Sequence, residues 1–249
     1  MIPLKSDKDL EMMRCAGRIL AAIMHELQKH ICVNISTFEL DRIAGELFFK
    51  ERVIAAFKGY KGFPANICAS VNEEIVHGIP DKRKLKEGDI LSLDLGLNYQ
   101  GFFSDAAITV GIGKISSQVE KLIEVTKAAL GQGIEQAREN NHLLDISYAI
   151  QSYVESKGFS VVKQFVGHGI GKELHEEPEI PNFGQPHQGK VLKKGMVFAI
   201  EPMVNIGTWK CEIIDNGWTA VTCDKSYSAH FENTVAITKD GPEILTKLS

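Results

Sequence analysis

The chain has 249 residues, of which 44% are hydrophobic and 24% are charged, and its formal net charge is −4. A chain of this length and composition can bury a sizeable core, which excludes disorder as its default state. Lysines, arginines and acids are mixed without a long block of one sign, so the composition indicates neither a nucleic-acid-binding face nor a surface for anionic membranes.

The cysteines and the apolar segments indicate the compartment. Five cysteines are scattered along the chain and no two form a Cys-x-x-Cys pair, which disfavours a disulfide framework and a thiolate zinc site. Charges interrupt the first thirty residues before a signal peptide could form, and the apolar runs elsewhere are too short to cross a bilayer. We therefore expect a cytoplasmic protein with reduced thiols.

Helical patterns come first in the chain. Ser6 and Asp9 have the spacing of a capping box, which predicts a helix that starts there and continues to about His30. A second helix is predicted over 37–50. Glycine, proline and strand-like segments then follow up to Gly113.

The same order of elements then repeats. Two further helices are predicted over about 117–139 and 144–157, and strand-like sequence follows almost to the C-terminus. Two helices followed by strands, twice, is typical of an internal duplication. We expect one domain over 1–249, of α+β class, with pseudo-repeat halves of about 1–113 and 114–249.

Both halves carry acids at matching positions in apolar, strand-like stretches. Asp94 in LKEGDILSLDLG and Glu201 in LKKGMVFAIEPM each follow a glycine by six residues. Asp105 in SDAAITV and Glu232 in ENTVAIT each open an apolar strand. One such acid alone would more often be an edge-strand residue that faces water. Four in matching positions favour a shared site instead.

The hairpin between the first two acids predicts how close they lie. With Tyr99 and Gln100 as a two-residue turn, Asp94 lies opposite Asp105, and directly opposed Cβ atoms are about 4.5–5.5 Å apart. Two like charges at about 4 Å repel by roughly 4 kcal/mol at an effective dielectric constant of 20. A lysine or arginine from elsewhere could compensate, but none lies between the two acids, so a metal is the simpler answer. Two divalent ions would neutralise four carboxylates.

Histidines offer a second type of metal ligand. His168 and His175 lie in GHGIGKELHEEP, and an imidazole beside carboxylates favours transition metals over magnesium or calcium. A lone histidine is more often structural, and this alternative also applies to His77 in NEEIVHGIP. The histidines predicted to be ordinary surface residues are His25, His30, His142 and His187.

Five motifs of the chain resemble those of the type I methionine aminopeptidases, which are metallopeptidases of the pita-bread fold. The resemblance covers nearly the whole chain and implies a single catalytic domain over 1–249, in which each pseudo-symmetric half packs two helices on an antiparallel sheet. Glu201 and Glu232 are only 31 residues apart, which leaves no room for the insertion of type II relatives. The motifs are NEEIVHGIP (72–80), SLDLG with FFSDAA (92–107), GHGIGKELHEEP (167–178), FAIEPM (198–203) and HFENTVAIT (230–238).

By this resemblance, five residues bind two divalent metal ions per chain, for which cobalt, manganese, iron or zinc would be suitable. Asp105 and Glu232 would bridge the two ions. The resemblance also implies a monovalent cation near Asn72 and Ser228. The five implied ligands are Asp94, Asp105, His168, Glu201 and Glu232.

The implied reaction removes the N-terminal methionine from nascent proteins and peptides that have a small second residue. A hydroxide held between the metals would attack the first peptide bond, with Glu201 as the proton shuttle. His175 would stabilise the oxyanion, and His77 would contact the scissile amide or the next residue. The implied partner is the N-terminus of a nascent polypeptide, with the ribosome as a further candidate. We expect a monomer that requires neither nucleic acid nor a membrane.

A methionine side chain requires a snug apolar pocket. Phe57 and Leu174 depart from the cysteine and the aromatic residue that many bacterial relatives carry, and His230 stands where relatives often have glutamine. For Phe63 and Trp218, a place in the ordinary core is the alternative. The implied substrate-binding residues are Phe57, Tyr60, Phe63, Cys68, His77, Leu174, His175, Trp218 and Phe231.

Two other functions fit parts of the pattern. A prolidase-like or broader aminopeptidase would use the same metals, and its preference for Xaa-Pro over Met-Ala peptides would distinguish it. A relative without metals that binds protein or RNA is the second alternative. The complete set of ligands and the absence of a basic face disfavour it.

Overall fold

The computed structural model describes residues 2–248, and all of the strand pairings in that part of the chain are antiparallel. This is the predicted α+β class. The helices are α1 (Asp7–Gln28), α2 (Thr37–Lys50), α3 (Ser117–Gln136) and α4 (Leu143–Ser156). The strands are β1 (Ile54–Ala55), β2 (Cys68–Val71), β3 (Glu74–Val76), β4 (Ile90–Tyr99), β5 (Phe102–Gly111), β6 (Ser160–Val161), β7 (Gly167–Gly169), β8 (Glu176–Ile180), β9 (Val197–Ile200), β10 (Met203–Asn205), β11 (Cys211–Ile213), β12 (Ala220–Thr222), β13 (Ser228–His230), β14 (Glu232–Thr238) and β15 (Gly241–Ile244).

The helix boundaries follow from their caps. The backbone N–H of Asp9 donates to Ser6 Oγ at 3.2 Å, and the backbone N–H of Ser6 donates to Asp9 Oδ2 at 2.9 Å, which confirms the predicted capping box. The helix ends at Gln28, two residues before the predicted end. Helix α3 also ends early, because Ala137 leaves the helical region with φ −73° and ψ 58°. In the part of the chain described, no helix combines the length and the apolar character needed to cross a membrane.

One large sheet joins the strands that carry the acids. Its order is β1–β4–β5–β14–β9–β7–β8, so β5 and β14 pair where the predicted halves meet. Helices α1 and α2 cover one part of this sheet around Leu20, Leu40 and Leu93. Helices α3 and α4 cover another part around Leu122 and Phe198. Each fully buried leucine or phenylalanine contributes about 1.5–3 kcal/mol, so both cores hold the sheet in a fixed shape.

The β4–β5 hairpin has a different register from the predicted one. Its two-residue turn is Gln100–Gly101, and both residues have the positive φ angles, 51° and 87°, that a type I′ turn requires. Asp94 pairs with Ala107 rather than with Asp105, so the predicted direct opposition is wrong by two residues. Side chains alternate between faces with a period of two, and the shift therefore keeps Asp94 and Asp105 on one face as diagonal neighbours.

Candidate active site

Five strands that are consecutive neighbours in the large sheet each deliver one predicted ligand. In the order β4, β5, β14, β9 and β7, these residues come from positions far apart in the sequence. Four of them lie within their strands, and Glu201 directly follows the last residue of β9. All five line one cavity of about 200 Å³. In the same order, the residues are Asp94, Asp105, Glu232, Glu201 and His168.

The four acids of this cavity are enclosed together, with Asp105 and Glu232 buried and Asp94 and Glu201 partly buried. Asp105 is 4% exposed and Glu232 is 3% exposed. Burial raises the pKa of Asp94 to about 7. Burial and neighbouring carboxylates also raise the pKa values of the other three acids well above the usual range. Asp94 Oδ1 and Glu232 Oε1 are buried without a hydrogen-bond partner. Such carboxylates are costly to ionise unless a cation lies beside them, so the site is suited to bind positive charge.

The donor atoms fit divalent transition metals. One ligand atom from each of Asp105, His168 and Glu232 lies within 4.8 Å of the others. The Nδ1–H of His168 donates to the backbone oxygen of Gly169 at 2.9 Å, so its Nε2 carries the free lone pair. Burial lowers the pKa of His168 to about 4, which keeps the ring neutral at neutral pH. A neutral imidazole among carboxylates is a suitable ligand set for iron, manganese, cobalt or zinc.

His175 and His77 also line the cavity. The Nδ1 atom of His175 is 2.9 Å from the Tyr60 hydroxyl, and its ring centroid is 4.2 Å from that of His168. Burial, with smaller contributions from His168 and Lys61, lowers the pKa of His175 to about 3. The ring is therefore neutral. When the Tyr60 hydroxyl donates to Nδ1, the remaining hydrogen is on Nε2, where it can be donated to a substrate oxygen.

Aromatic and apolar side chains form the rest of the cavity wall. Phe63 and Trp218 meet edge to face with ring centroids 5.2 Å apart. Phe57 packs over Gly96, where an added Cβ atom would lie 2.7 Å from the Phe57 ring. Lys61 lines the cavity as well, although no sequence motif indicated it. The predicted substrate-binding residues that line the cavity are Phe57, Tyr60, Phe63, Cys68, His77, Leu174, His175 and Trp218.

Phe231 is the exception among the predicted substrate-binding residues. It packs in the core beneath α3 and lines a different groove. The reason is its position beside Glu232, because neighbouring residues of an extended chain point to opposite faces. With Glu232 directed into the cavity, Phe231 faces the helices.

A second group of metal-type side chains lies at the start of α4, where His142, Asp145 and His187 approach one another. The two carboxylate oxygens of Asp145 accept hydrogen bonds from the backbone N–H groups of His142 and His187, each at 2.7 Å. The helix cap and the loop contact therefore give each oxygen of this carboxylate a hydrogen-bond partner within the protein. The positive end of the helix dipole also disfavours a cation there. We interpret this group as structural.

Comparisons with known proteins agree with the geometry. The sequence matches the family described as "Metallopeptidase family M24" over residues 11–239. A methionine aminopeptidase from Clostridium perfringens is 52% identical over 246 residues, which is 99% of each chain. Methionine aminopeptidase 1 from Bacillus subtilis is 50% identical over the full length of both chains. The crystal structure of methionine aminopeptidase from Thermotoga maritima has a TM-score of 0.97 at 47% identity, covering 99% of this chain and 100% of that chain.

The chain belongs to metallopeptidase family M24, and it therefore binds divalent metal. The resemblance to type I methionine aminopeptidases, expected from the motifs, is confirmed, and with it the methionine aminopeptidase activity. The prolidase from Pyrococcus furiosus, with a TM-score of 0.79 at 21% identity, shares the fold alone. The predicted pita-bread fold is confirmed by these neighbours.

Proposed function

We propose that this protein removes the N-terminal methionine from nascent proteins and peptides whose second residue is small. The observation that carries the proposal is the convergence of one imidazole and four buried or partly buried acids from five adjacent strands on a single cavity with an apolar wall. The relatives that share half of its residues are named for the same activity.

The five convergent residues would hold two divalent ions of cobalt, manganese, iron or zinc. Asp105 and Glu232 lie on the adjacent strands β5 and β14, the two middle members of the four acid-bearing strands, and would be the acids placed to hold both ions. Asp94 lies on one side of this pair, and Glu201 with His168 lies on the other side. This order supports bridging roles for the two middle acids. When bound, the ions supply Lewis-acid activation of the attacking water and of the substrate carbonyl.

The protein's own residues supply proton transfer and oxyanion stabilisation. Glu201 lines the cavity and would take a proton from the attacking water and deliver it to the departing amine nitrogen, the role that the family resemblance implies. His175 would donate its Nε2 hydrogen to the oxyanion at the scissile carbonyl. His77, which lines the same cavity, would contact the amide or the residue after it.

The apolar wall would receive the methionine side chain. Phe63 and Trp218 form an aromatic corner, and Tyr60 both binds His175 and borders the same space. A cavity of about 200 Å³ suits one side chain rather than an extended peptide. This size supports cleavage after the first residue only.

The first test is cleavage by the metal-reconstituted protein of a Met-Ala-Ser peptide beside Met-Lys-Ser and Ala-Pro-Ser peptides. We expect methionine release from the first peptide alone, and its loss in the His175→Ala and Asp94→Ala variants. Cleavage of the Ala-Pro peptide would favour a prolidase-like enzyme. No cleavage of any peptide by folded, metal-loaded protein would refute the enzymatic proposal.

We also propose the implied monovalent cation near Asn72 and Ser228. The two residues are in contact, since the backbone N–H of Ser228 donates to the Asn72 carbonyl oxygen at 2.9 Å. Asn205, which pairs with Ser228, has a buried Oδ1 atom without a hydrogen-bond partner. An unpartnered buried oxygen at this place supports a small cation there.

The equivalent order of helices and acid-bearing strands supports one catalytic domain with two pseudo-repeat halves. The five free cysteines support a reducing, cytoplasmic environment. We also propose that the protein is a monomer that acts on nascent chains and docks at the ribosome.

A further inference from the structure

His230 is a buried histidine that lies directly behind Glu201 and outside the predicted set of ligands. It is 2% exposed and ends β13, where it pairs with Met203 of β10. Its Nε2 atom is 3.7 Å from Glu201 Oε2 and has no hydrogen-bond partner. Buried polar atoms rarely lack a partner, so a ring nitrogen that faces a carboxylate at this distance requires an explanation.

The carboxylate of Glu201 lies between two imidazoles. Its Oε1 atom is 3.5 Å from Nε2 of His168, and its Oε2 atom is 3.7 Å from Nε2 of His230. His168 lines the cavity with the other implied ligands, whereas His230 is absent from the cavity wall. One carboxylate oxygen therefore faces the metal side and the other faces the protein.

The backbone of His230 is fixed by contacts that do not involve Glu201. Its N–H donates to Thr109 Oγ1 at 2.8 Å, and the same hydroxyl donates to the His230 carbonyl oxygen at 2.8 Å. Ser92 Oγ lies 2.8 Å from that hydroxyl as well. Strands β4 and β5 of the predicted first half thus hold the imidazole that faces an acid of the second half.

An imidazole carries at least one ring N–H, and Glu201 Oε2 is the acceptor that the Nε2 atom of His230 faces.

We propose that His230 is a positioning residue for Glu201, whose Oε2 accepts the Nε2 hydrogen of the imidazole so that Oε1 is held toward the ion beside His168. The separation of 3.7 Å needs to shorten only to about 2.9 Å, a typical hydrogen-bond distance, when an ion draws the carboxylate into place. Carboxylate ligands are commonly oriented by such outer partners, and loss of one costs about 10–100-fold in metal affinity. This inference depends on the proposed two-metal site.

The test compares three substitutions in the metal-free full chain. His230→Gln keeps an N–H donor at a similar reach, His230→Asn shortens the same amide by one methylene, and His230→Leu removes the donor. Calorimetric titration with Co²⁺ measures affinity and stoichiometry, and the cobalt absorption spectrum reports the ligand geometry. His187→Gln is the matched control, because this exposed histidine borders a separate cavity.

We expect two ions per wild-type chain. In the leucine and asparagine variants one site should weaken by about 10–100-fold with the stoichiometry unchanged, and the glutamine variant should stay within about threefold of wild type. Because the asparagine and glutamine variants are both polar, they keep the test decisive if the leucine variant fails to fold.

Two results would overturn the inference while leaving the proposed function intact. Unchanged affinity in the folded leucine and asparagine variants would show that His230 is only a packing residue. Loss of one whole equivalent of cobalt would make His230 a direct ligand. A wild-type chain that binds no cobalt would instead refute the proposed metal site, and this inference with it.

Discussion

The two halves of the molecule bring their acids into the site in different ways. In the first half, Asp94 and Asp105 lie on paired ten-residue strands that one two-residue turn connects. In the second half, Glu201 and Glu232 flank a long excursion that contains β10 to β13. The first half thus places its two proposed metal ligands on one continuous hairpin. The second half combines ligands with segments that can contact substrate, such as the one carrying Trp218.

The difference extends to the type of ligand. The first half contributes only carboxylates to the proposed metal site, while the second half adds His168 and the neighbouring His175 and His230. A short hairpin fixes side chains by local geometry, but loops must be held by contacts with other parts of the chain. We therefore expect the second half to be the more sensitive to changes outside the cavity.

The largest expected effect on stability comes from Lys5, whose ammonium forms an ion pair with Glu176 next to His175. The two side chains are only 6% and 9% exposed, and Glu176 Oε1 also accepts the backbone N–H of Lys172 at 2.7 Å. Removal of one partner of a buried pair costs about 3–5 kcal/mol. We expect Lys5→Met to lower the free energy of unfolding by that amount, measured by denaturant titration, and to reduce kcat through displacement of His175.

The matched control for Lys5→Met is Arg42→Met, which breaks an exposed ion pair with Glu46 on α2 of the first half. Such pairs contribute about 0–1 kcal/mol, so this variant should be nearly as stable as wild type and fully active. Equal losses of stability in the two variants would contradict the idea that the buried Lys5–Glu176 ion pair stabilises the second half.

The next effect is the pH dependence of the metal-free protein, in which the buried histidines and the buried acids of the cavity act in opposite directions. Burial lowers the pKa of His168 to about 4, so this histidine adds stability as the pH rises from 4 to 6.5. Burial raises the pKa of Asp94 to about 7, so the native state holds a proton that the unfolded state has already lost, and stability falls as the pH rises towards 7.

Above pH 6.5 the buried histidines with lowered pKa values are mostly neutral in both states, and the acids contribute most of the remaining pH dependence. Each proton held by the native state alone lowers the free energy of unfolding by about 1.4 kcal/mol per pH unit. We expect the melting temperature of the metal-free protein to fall between pH 6.5 and 8. Asp105→Asn should reduce that slope, because burial and nearby acids raise the Asp105 pKa well above its usual range. A flat profile in wild type would contradict this account, and saturating Mn²⁺ should remove the slope.

The smallest effect compares Phe63 with Phe231. Phe63 lines the cavity, whereas Phe231 packs in the core away from it. Phe63→Leu should raise KM for a Met-Ala-Ser peptide. Phe231→Leu should leave KM unchanged and cost less in stability than the roughly 3–5 kcal/mol of a Phe→Ala change, because leucine keeps much of the buried apolar volume. A raised KM for Phe231→Leu would return that residue to the substrate pocket.

Much of this architecture could be predicted from the sequence because its signals are local. The capping box at Ser6 and the helical periodicities are each contained in one short segment. Each acid is likewise marked by the residues immediately around it. The hairpin register could also be predicted from the sequence, because glycine favours the second position of a type I′ turn and places the turn at Gln100–Gly101. The position of Phe231 follows from simple strand alternation beside Glu232.

Other features depend on contacts between distant segments. The approach of His230 to Glu201 requires the pairing of β10 with β13 and the hydroxyl of Thr109 behind them. Lys61 reaches the cavity from a short turn that carries no recognisable motif. Hydrophobic periodicity does not encode such contacts, because it specifies which face is buried but not which strand lies beside it.

The adjacency of five ligand-bearing strands also has a consequence for biosynthesis. The ligands are spread from Asp94 to Glu232, and β14, which carries the last of them, pairs between β5 and β9 in the middle of the sheet. A chain still emerging from the ribosome therefore has a gap at the centre of its sheet until this strand is released. The protein cannot assemble its full set of proposed metal ligands before β14 has left the ribosome.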